Sequence, residues 1–195
     1  MGKFDRYAFS AQPSFDEAAT RKAFSKAVPL KTLVIYCYDP RAAQIPNAVA
    51  KLFGDEVFPG DIILDGSGNR VASTTSIFPV TVAGGRAVDA LRSITVAQHL
   101  FGIQNIVVVH HSHCGATSFT ADGIIKAYEH EHHVDISNLY DRSNICITDY
   151  EASLKHDTAL IRSHDGTPKN VDIFGYFYDI DTSALTEVVR DIHRD

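Results

Sequence analysis

Residues 106–116 read IVVVHHSHCGA: four apolar positions, then three histidines and a cysteine within the next five. Such a run predicts a buried strand ending in a site. His111 and Cys114 are separated by two residues, a spacing that a strand-to-helix turn can wrap around one metal ion. Far upstream, Cys37 opens the stretch CYDPR. Together Cys37, His111 and Cys114 offer two thiolates and one imidazole, a set that zinc accepts in tetrahedral geometry with the fourth position left to water. Water in that position can lose its proton at a pH of about 7, which supplies hydroxide. The two thiolates offset the ion's charge and work against that acidification, so a group that selects and orients the hydroxide is expected nearby. Asp39 is the candidate acceptor. Arg41 would keep it ionised and aligned through a bidentate pair. In extended chain Cys37, Asp39 and Arg41 share one face, and Pro40 biases Asp39 away from helix.

The combination of CYDPR with HHSHCG resembles the β-class carbonic anhydrases, whose pattern is Cys-x-Asp-x-Arg followed by His-x-x-Cys-Gly. The similarity continues through FPGDIIL, AVDALRSITVAQHLFGIQNIVVVHHSHCGA and VDIFGYFYDIDTSAL, and spans residues 30–188. The resemblance implies one zinc per chain on Cys37, His111 and Cys114, with Asp39 and Arg41 as a catalytic dyad. It also implies a homodimer or a dimer of dimers (a homotetramer), with the N-terminal arm wrapping its neighbour.

The short chain and the double histidine are most similar to the compact branch of that family, which includes carbonyl sulfide hydrolases and resembles carbon disulfide hydrolases. The function implied is a zinc-hydroxide enzyme acting on a linear heterocumulene. Carbonyl sulfide hydrolysis leads, in which carbonyl sulfide and water give carbon dioxide and hydrogen sulfide. Carbon dioxide hydration, carbon disulfide hydrolysis and a non-catalytic zinc-binding role are the alternatives. The Asp39–Arg41 pair speaks against the last, because a purely structural site needs no hydroxide-orienting carboxylate. One departure stands out. After its second strand the family carries Arg-Asn-Ala-Gly or similar, whereas here DIILD leads into LDGSGNR.

The elements that must position these residues alternate between strand and helix. A polar arm over residues 1–30 holds a helix, SFDEAATRKAFSKAV, with Ser14 and Glu17 spaced as a capping box. Within 31–195, strands are predicted at LKTLVIYCYD, DIILD, NIVVVHH and NVDIFGYFYDID. Helices are predicted at RAAQIPNAVAKLFG (interrupted by Pro46), GGRAVDALRSITVAQHLFG, around 120–133 and around 149–164. The final TSALTEVVRDIHRD reads as a closing helix or tail. Continuous apolar strands alternating with helices imply a single α/β domain, its mostly parallel sheet flanked by helices, with ligands collecting at the strands' carboxyl ends.

Composition narrows the partners. The 195 residues carry a net charge of −6, with 45% hydrophobic and 22% charged residues and no basic run. Nucleic acid and anionic membrane are therefore not expected as partners, and a small diffusing substrate is. The opening residues lack the apolar core of a secretory signal, and three unevenly spaced cysteines do not suggest a disulfide framework. A cytoplasmic protein is the expectation.

The other candidates carry weaker signals. His110 should face away from His111 into core or pocket wall. His113, between the ligands, should turn outward, with a proton-relay role open to it. The EHEHH run at 129–133 reads as a solvated helix face, Cys146 as packing, and GSGN as a turn rather than a dinucleotide loop. A cysteine phosphatase loop opening at Cys114 fails, because Thr120 stands where the phosphate-holding arginine would be.

Overall fold

The computed structural model describes residues 2–193. The strand TLVIYC is buried along its whole length, and so is most of NIVVVHH. Runs that are apolar on both faces belong in the middle of a parallel sheet covered on both sides. Helix α1 spans Glu17–Ala27, strand β1 Thr32–Cys37 and helix α2 Ile45–Leu52. A hairpin follows, of β2 (Ile62–Leu64) and β3 (Arg70–Ser73), and then strand β4 (Ile77–Val82). Helix α3 (Leu91–Phe101) leads to β5 (Asn105–His111), and α4 (Ala121–His132), α5 (Arg142–Ile145) and α6 (Tyr150–Ser163) lead to β6 (Asp172–Tyr178) and β7 (Leu185–Asp191).

The main sheet has the order β4-β1-β5-β6-β7. All neighbours are parallel except β6 and β7. From β1 the chain steps outward to β4, then returns past β1 to β5, so the carboxyl ends of β1 and β5 meet where the winding reverses. That is the place where open α/β sheets form their crevices.

Alternate strand residues divide into two cores. Leu33, Ile35, Ile106, Val108 and Ile173 pack with Ile94 of α3 and with Leu154 and Ile161 of α6. Val34, Tyr36, Val107, Val109 and Phe174 pack with Ile45 and Val49 of α2. Each fully buried aliphatic side chain contributes about 1.5–3 kcal/mol relative to exposure, so both helical layers are held firmly. Helix α3 stops where expected, at Gly102, whose φ of 66° takes the left-handed form that ends helices.

Several expectations are corrected. Helix α1 is capped by Asp16, which accepts from the Ala19 N–H at 2.7 Å, rather than by Ser14. Pro46 lies in the first turn of α2 and starts that helix instead of interrupting it, since the missing N–H is unneeded there. DIILD is not a strand of the main sheet. It pairs antiparallel with β3 in a separate, exposed hairpin. GSGN is the turn of that hairpin, held by Asp65 Oδ1 accepting from the Ser67 and Asn69 N–H groups.

The second parallel strand is β4, IFPVTV, which Pro79 obscured. It lies at the sheet edge, where a residue without an N–H is tolerated. The loop to set against the family pattern is therefore not LDGSGNR but the end of β4, TVAGG. Ala83 and Gly84 match the Ala-Gly half, and Thr81 and Val82 stand where arginine and asparagine are expected. The closing segment is strand β7 up to Asp191, with Thr186, Val188 and Val189 as its β-branched residues. Residues 194–195 of that segment lie outside the described residues. Among the described residues, no helix is long and apolar enough to cross a membrane.

Candidate metal centre

Cys37 is the last residue of β1 and His111 the last of β5, so adjacent parallel strands deliver both to one end of the sheet. Cys114 returns to the same point through a tight turn. At its apex His113 holds a φ of 54°. A non-glycine residue in that region costs about 1–3 kcal/mol and persists only where its surroundings enforce it. Here Arg41 Nη2 donates to the His113 carbonyl at 3.0 Å. The His113 side chain points to solvent, as expected from sequence.

The three side chains converge. Their ligand atoms all lie within 4.8 Å of one another, and the two sulfurs are 3.9 Å apart. All three residues are buried, His111 completely. His111 Nδ1 lies 2.9 Å from the Ser112 carbonyl, an orientation that leaves Nε2 to offer a lone pair. No hydrogen-bond partner reaches that Nε2. A buried polar atom without a partner needs an explanation, and one zinc ion supplies it. The Cys-His-Cys cluster is suited to a single such ion.

Electrostatics agree with that fit. Burial holds His111 below its ordinary range, which favours the neutral imidazole that a metal requires. Burial pushes the Cys114 thiol up to about 11, and the neighbouring Cys37 sulfur adds to the rise. A cation that binds thiolate reverses that preference.

Asp39 and Arg41 pair, but not through the extended geometry the sequence suggested. β1 ends at Cys37, and Asp39 caps a short 3-10 turn, Pro40–Ala42, that carries Arg41. Asp39 Oδ1 accepts from the Arg41 backbone N–H at 2.9 Å and from its Nε at 3.0 Å, and Oδ2 accepts from Nη2 at 2.6 Å. The Arg41 side chain, with its backbone N–H, holds the Asp39 carboxyl well below the usual carboxylate range. The carboxylate charge is felt at both His111 and Cys114. Arg41 thus ties the turn after β1 to the turn after β5.

His110 faces the α6 side of β5, as expected, 3.4 Å from Asp157. The EHEHH run is exposed at the end of α4. Cys146 is buried and belongs to no metal cluster among the described residues. Sequence reasoning missed Arg86 and Asp157, a buried ion pair behind the centre. The two are 71 positions apart, and no spacing rule links them. The one available signal was an arginine directly after Gly84-Gly85. A cleft of about 650 Å3 lies between α1 and α3 and touches none of Cys37, His111 and Cys114.

No family model matches the chain. It is 28% identical over 112 residues to a carbon disulfide hydrolase of Acidithiobacillus thiooxidans, covering 50% of this chain and 56% of that protein. It is 27% identical over 100 residues to β-carbonic anhydrase 1 of Mycobacterium bovis, covering 51% and 59%. The chain thus spans less than two thirds of the length of these curated relatives. The solved carbonic anhydrase of Streptococcus mutans superposes with a TM-score of 0.63 at 24% identity, covering 97% of this chain and 99% of that one. The resemblance carried by CYDPR and HHSHCG is therefore to the β-carbonic anhydrase family, in fold as well as in sequence.

Proposed function

We propose that this protein is a zinc-dependent hydratase of linear heterocumulenes, with carbonyl sulfide as its lead substrate, and that Cys37, His111 and Cys114 hold the metal. One observation carries the reading: the unpartnered, fully buried Nε2 of His111 beside two sulfurs, with an ionised carboxylate held at the rim. Zinc bound there supplies a Lewis-acid position that makes water nucleophilic near neutral pH.

The chain's own residues supply orientation. Asp39 is too weak a base to keep a proton, because Arg41 stabilises its charged form. Its role is to accept a hydrogen bond from the attacking water, so that an oxygen lone pair faces the substrate carbon. Arg41 occupies both Asp39 oxygens and restrains the carboxylate from swinging inward to close the metal site. On carbonyl sulfide a carbon–oxygen bond forms and the carbon–sulfur bond breaks, and the products are carbon dioxide and hydrogen sulfide. The relatives support the substrate class from both sides, since one is named for carbon disulfide and another for carbonic anhydrase. Carbonyl sulfide, with one sulfur and one oxygen, lies between those two molecules. Reversible hydration of carbon dioxide is the second reading, favoured by the M. bovis relative.

The exposed Phe4, Tyr7 and Phe9 suit an arm, residues 1–30, that covers a second copy of the 31–195 domain in a homodimer or dimer of dimers. Purified zinc-loaded protein offered each gas separately tests the function. Sulfide release from carbonyl sulfide above the uncatalysed rate, lost in Asp39→Asn, supports the lead reading. Proton release from carbon dioxide without sulfide release moves the assignment to carbonic anhydrase. Neither activity in a zinc-loaded protein overturns both.

A further inference from the structure

A second polar cluster lies on the opposite face of β5: Arg86, Asp157 and His110, all buried and none used in the chemistry above. Arg86 forks onto Asp157, with Nε to Oδ2 at 2.9 Å and Nη2 to Oδ1 at 3.0 Å. Its Nη1 donates to the Cys146 carbonyl at 2.6 Å and Nη2 to the Ser143 carbonyl at 3.1 Å. Asp157 also accepts the Ala87 N–H at 3.1 Å and lies 3.4 Å from His110 Nε2. The charges cancel, and the guanidinium also reaches two backbone carbonyls.

Each connection from Arg86 leads to a different metal-ligand residue. Gly85, the preceding residue, has φ 70°, and a β-carbon there would lie 2.8 Å from the Val109 carbonyl and 3.1 Å from the Cys37 nitrogen. The turn after β4 is therefore wedged between the ends of β1 and β5, against Cys37 itself. The second route runs through Asp157 to His110, the chain neighbour of His111. The third starts at the Cys146 carbonyl. The next residue, Ile147, donates its N–H to the Ala116 carbonyl at 2.9 Å, two positions beyond Cys114.

We propose that the buried Arg86–Asp157 pair positions the metal centre, setting the spacing of Cys37, His111 and Cys114 and so the tightness with which zinc is held. This rests on the reading that those three residues bind zinc. Stability alone is a poor reason for such a pair, because apolar side chains of similar volume often replace buried ion pairs without loss. Geometry is a better one. A planar fork fixes direction as well as distance, and lysine, a point charge on a flexible stem, cannot do the same.

The test compares full-length variants by zinc affinity in chelator competition and by the absorption spectrum of the cobalt-substituted protein. The paired replacement Arg86→Met with Asp157→Leu leaves no charge uncompensated. Arg162→Met with Asp191→Leu is the control, removing a half-buried pair that ties α6 to β7 and leads to no ligand. The expected result is a 10–100-fold loss of zinc affinity and an altered cobalt spectrum for the first pair, with wild-type values for the control even where its melting temperature falls. Arg86→Lys should lie between wild type and the paired variant, and it carries the decision on the same readouts if the paired variant does not fold. Wild-type affinity and spectrum in the paired variant would overturn the proposal. Failure of the wild-type protein itself to take up zinc would instead refute the metal-centre reading, and this inference with it.

Discussion

The end of β5 separates two buried polar clusters, and they differ in whether their charged groups are matched. On the α6 side, Arg86 and Asp157 cancel each other's charge and share their hydrogen bonds with named backbone groups. On the other side, Cys37, His111 and Cys114 bring three electron-pair donors together, and His111 Nε2 has nothing to bond. Consecutive histidines border the two, His110 beside the first and His111 within the second, and both rings keep a nitrogen without a hydrogen-bond partner. The contrast shows that burial of polar groups does not by itself mark a reactive site. Convergence of electron-pair donors does, since His110 also keeps unpartnered nitrogens but belongs to no such cluster among the described residues.

The largest test of that contrast is Cys114→Ser. It removes one of two thiolates from a cluster that has no other source of negative charge at its centre. Zinc content measured by elemental analysis after chelator dialysis should fall from one per chain to near zero, and activity with it. Retention of a full zinc would mean that the Cys-His-Cys cluster is not the metal site.

Asp39→Asn comes next. The amide keeps the shape and the link to the Arg41 backbone, but it no longer presents two charged acceptor oxygens. Zinc content should be unchanged and turnover should fall by about 10²–10⁴-fold. Unchanged turnover would leave the dyad without a role.

Much of the metal-side cluster was legible in the sequence, because its chemistry is written in residue types. Cysteine and histidine at the ends of two apolar runs are rare enough to be matched without coordinates. The Arg86–Asp157 cluster was not legible. Its partners are an arginine and an aspartate that look like ordinary surface charges, and only the packing of α6 against the sheet brings them together. The fold divides in the same way. β1, β5 and β6 are continuous apolar runs and declare themselves, whereas β4 carries Pro79 and β7 carries Glu187 and Arg190 among its valines. Both of these are edge strands, half exposed by position, so their sequences lack the full apolar signature. The Asp39–Arg41 partnership was foreseen and its geometry was not, since extended chain and an Asp-capped 3-10 turn both bring residues i and i+2 within reach.

The metal side should also respond to pH. In the metal-free protein burial raises the Cys114 thiol to about 11, so near neutral pH zinc must displace its proton. Apparent zinc affinity should therefore climb by about tenfold per pH unit for each proton released, measured by competition between pH 6 and 9. Burial lowers the His111 pKa and so favours its unprotonated form. For stability the sign is reversed. A thiol raised in the folded state contributes stability that is complete below its unfolded value of 9.0 and is lost as pH rises through about 11. Alkali should destabilise the metal-free protein while tightening its hold on zinc. An affinity independent of pH would show that Cys114 is already a thiolate and that burial does not govern it.

The smallest effect sharpens the contrast most, because it falls on neighbouring residues of one strand. His111→Leu removes the imidazole donor, and zinc should be lost. His110→Leu removes a ring whose nitrogens make no geometrically sound hydrogen bond. It leaves the fork of Arg86 on Asp157 and the Ala87 N–H contact in place. Leucine fills most of the same volume, so the change in stability should stay within about 1 kcal/mol, a melting shift of about 2–4 °C for a domain of this size. Zinc should remain at one per chain, its affinity reduced far less than by loss of the Arg86–Asp157 pair. Collapse of zinc content in His110→Leu would mean that the strand does not separate a charge-matched cluster from a metal centre, and that both histidines serve the ion.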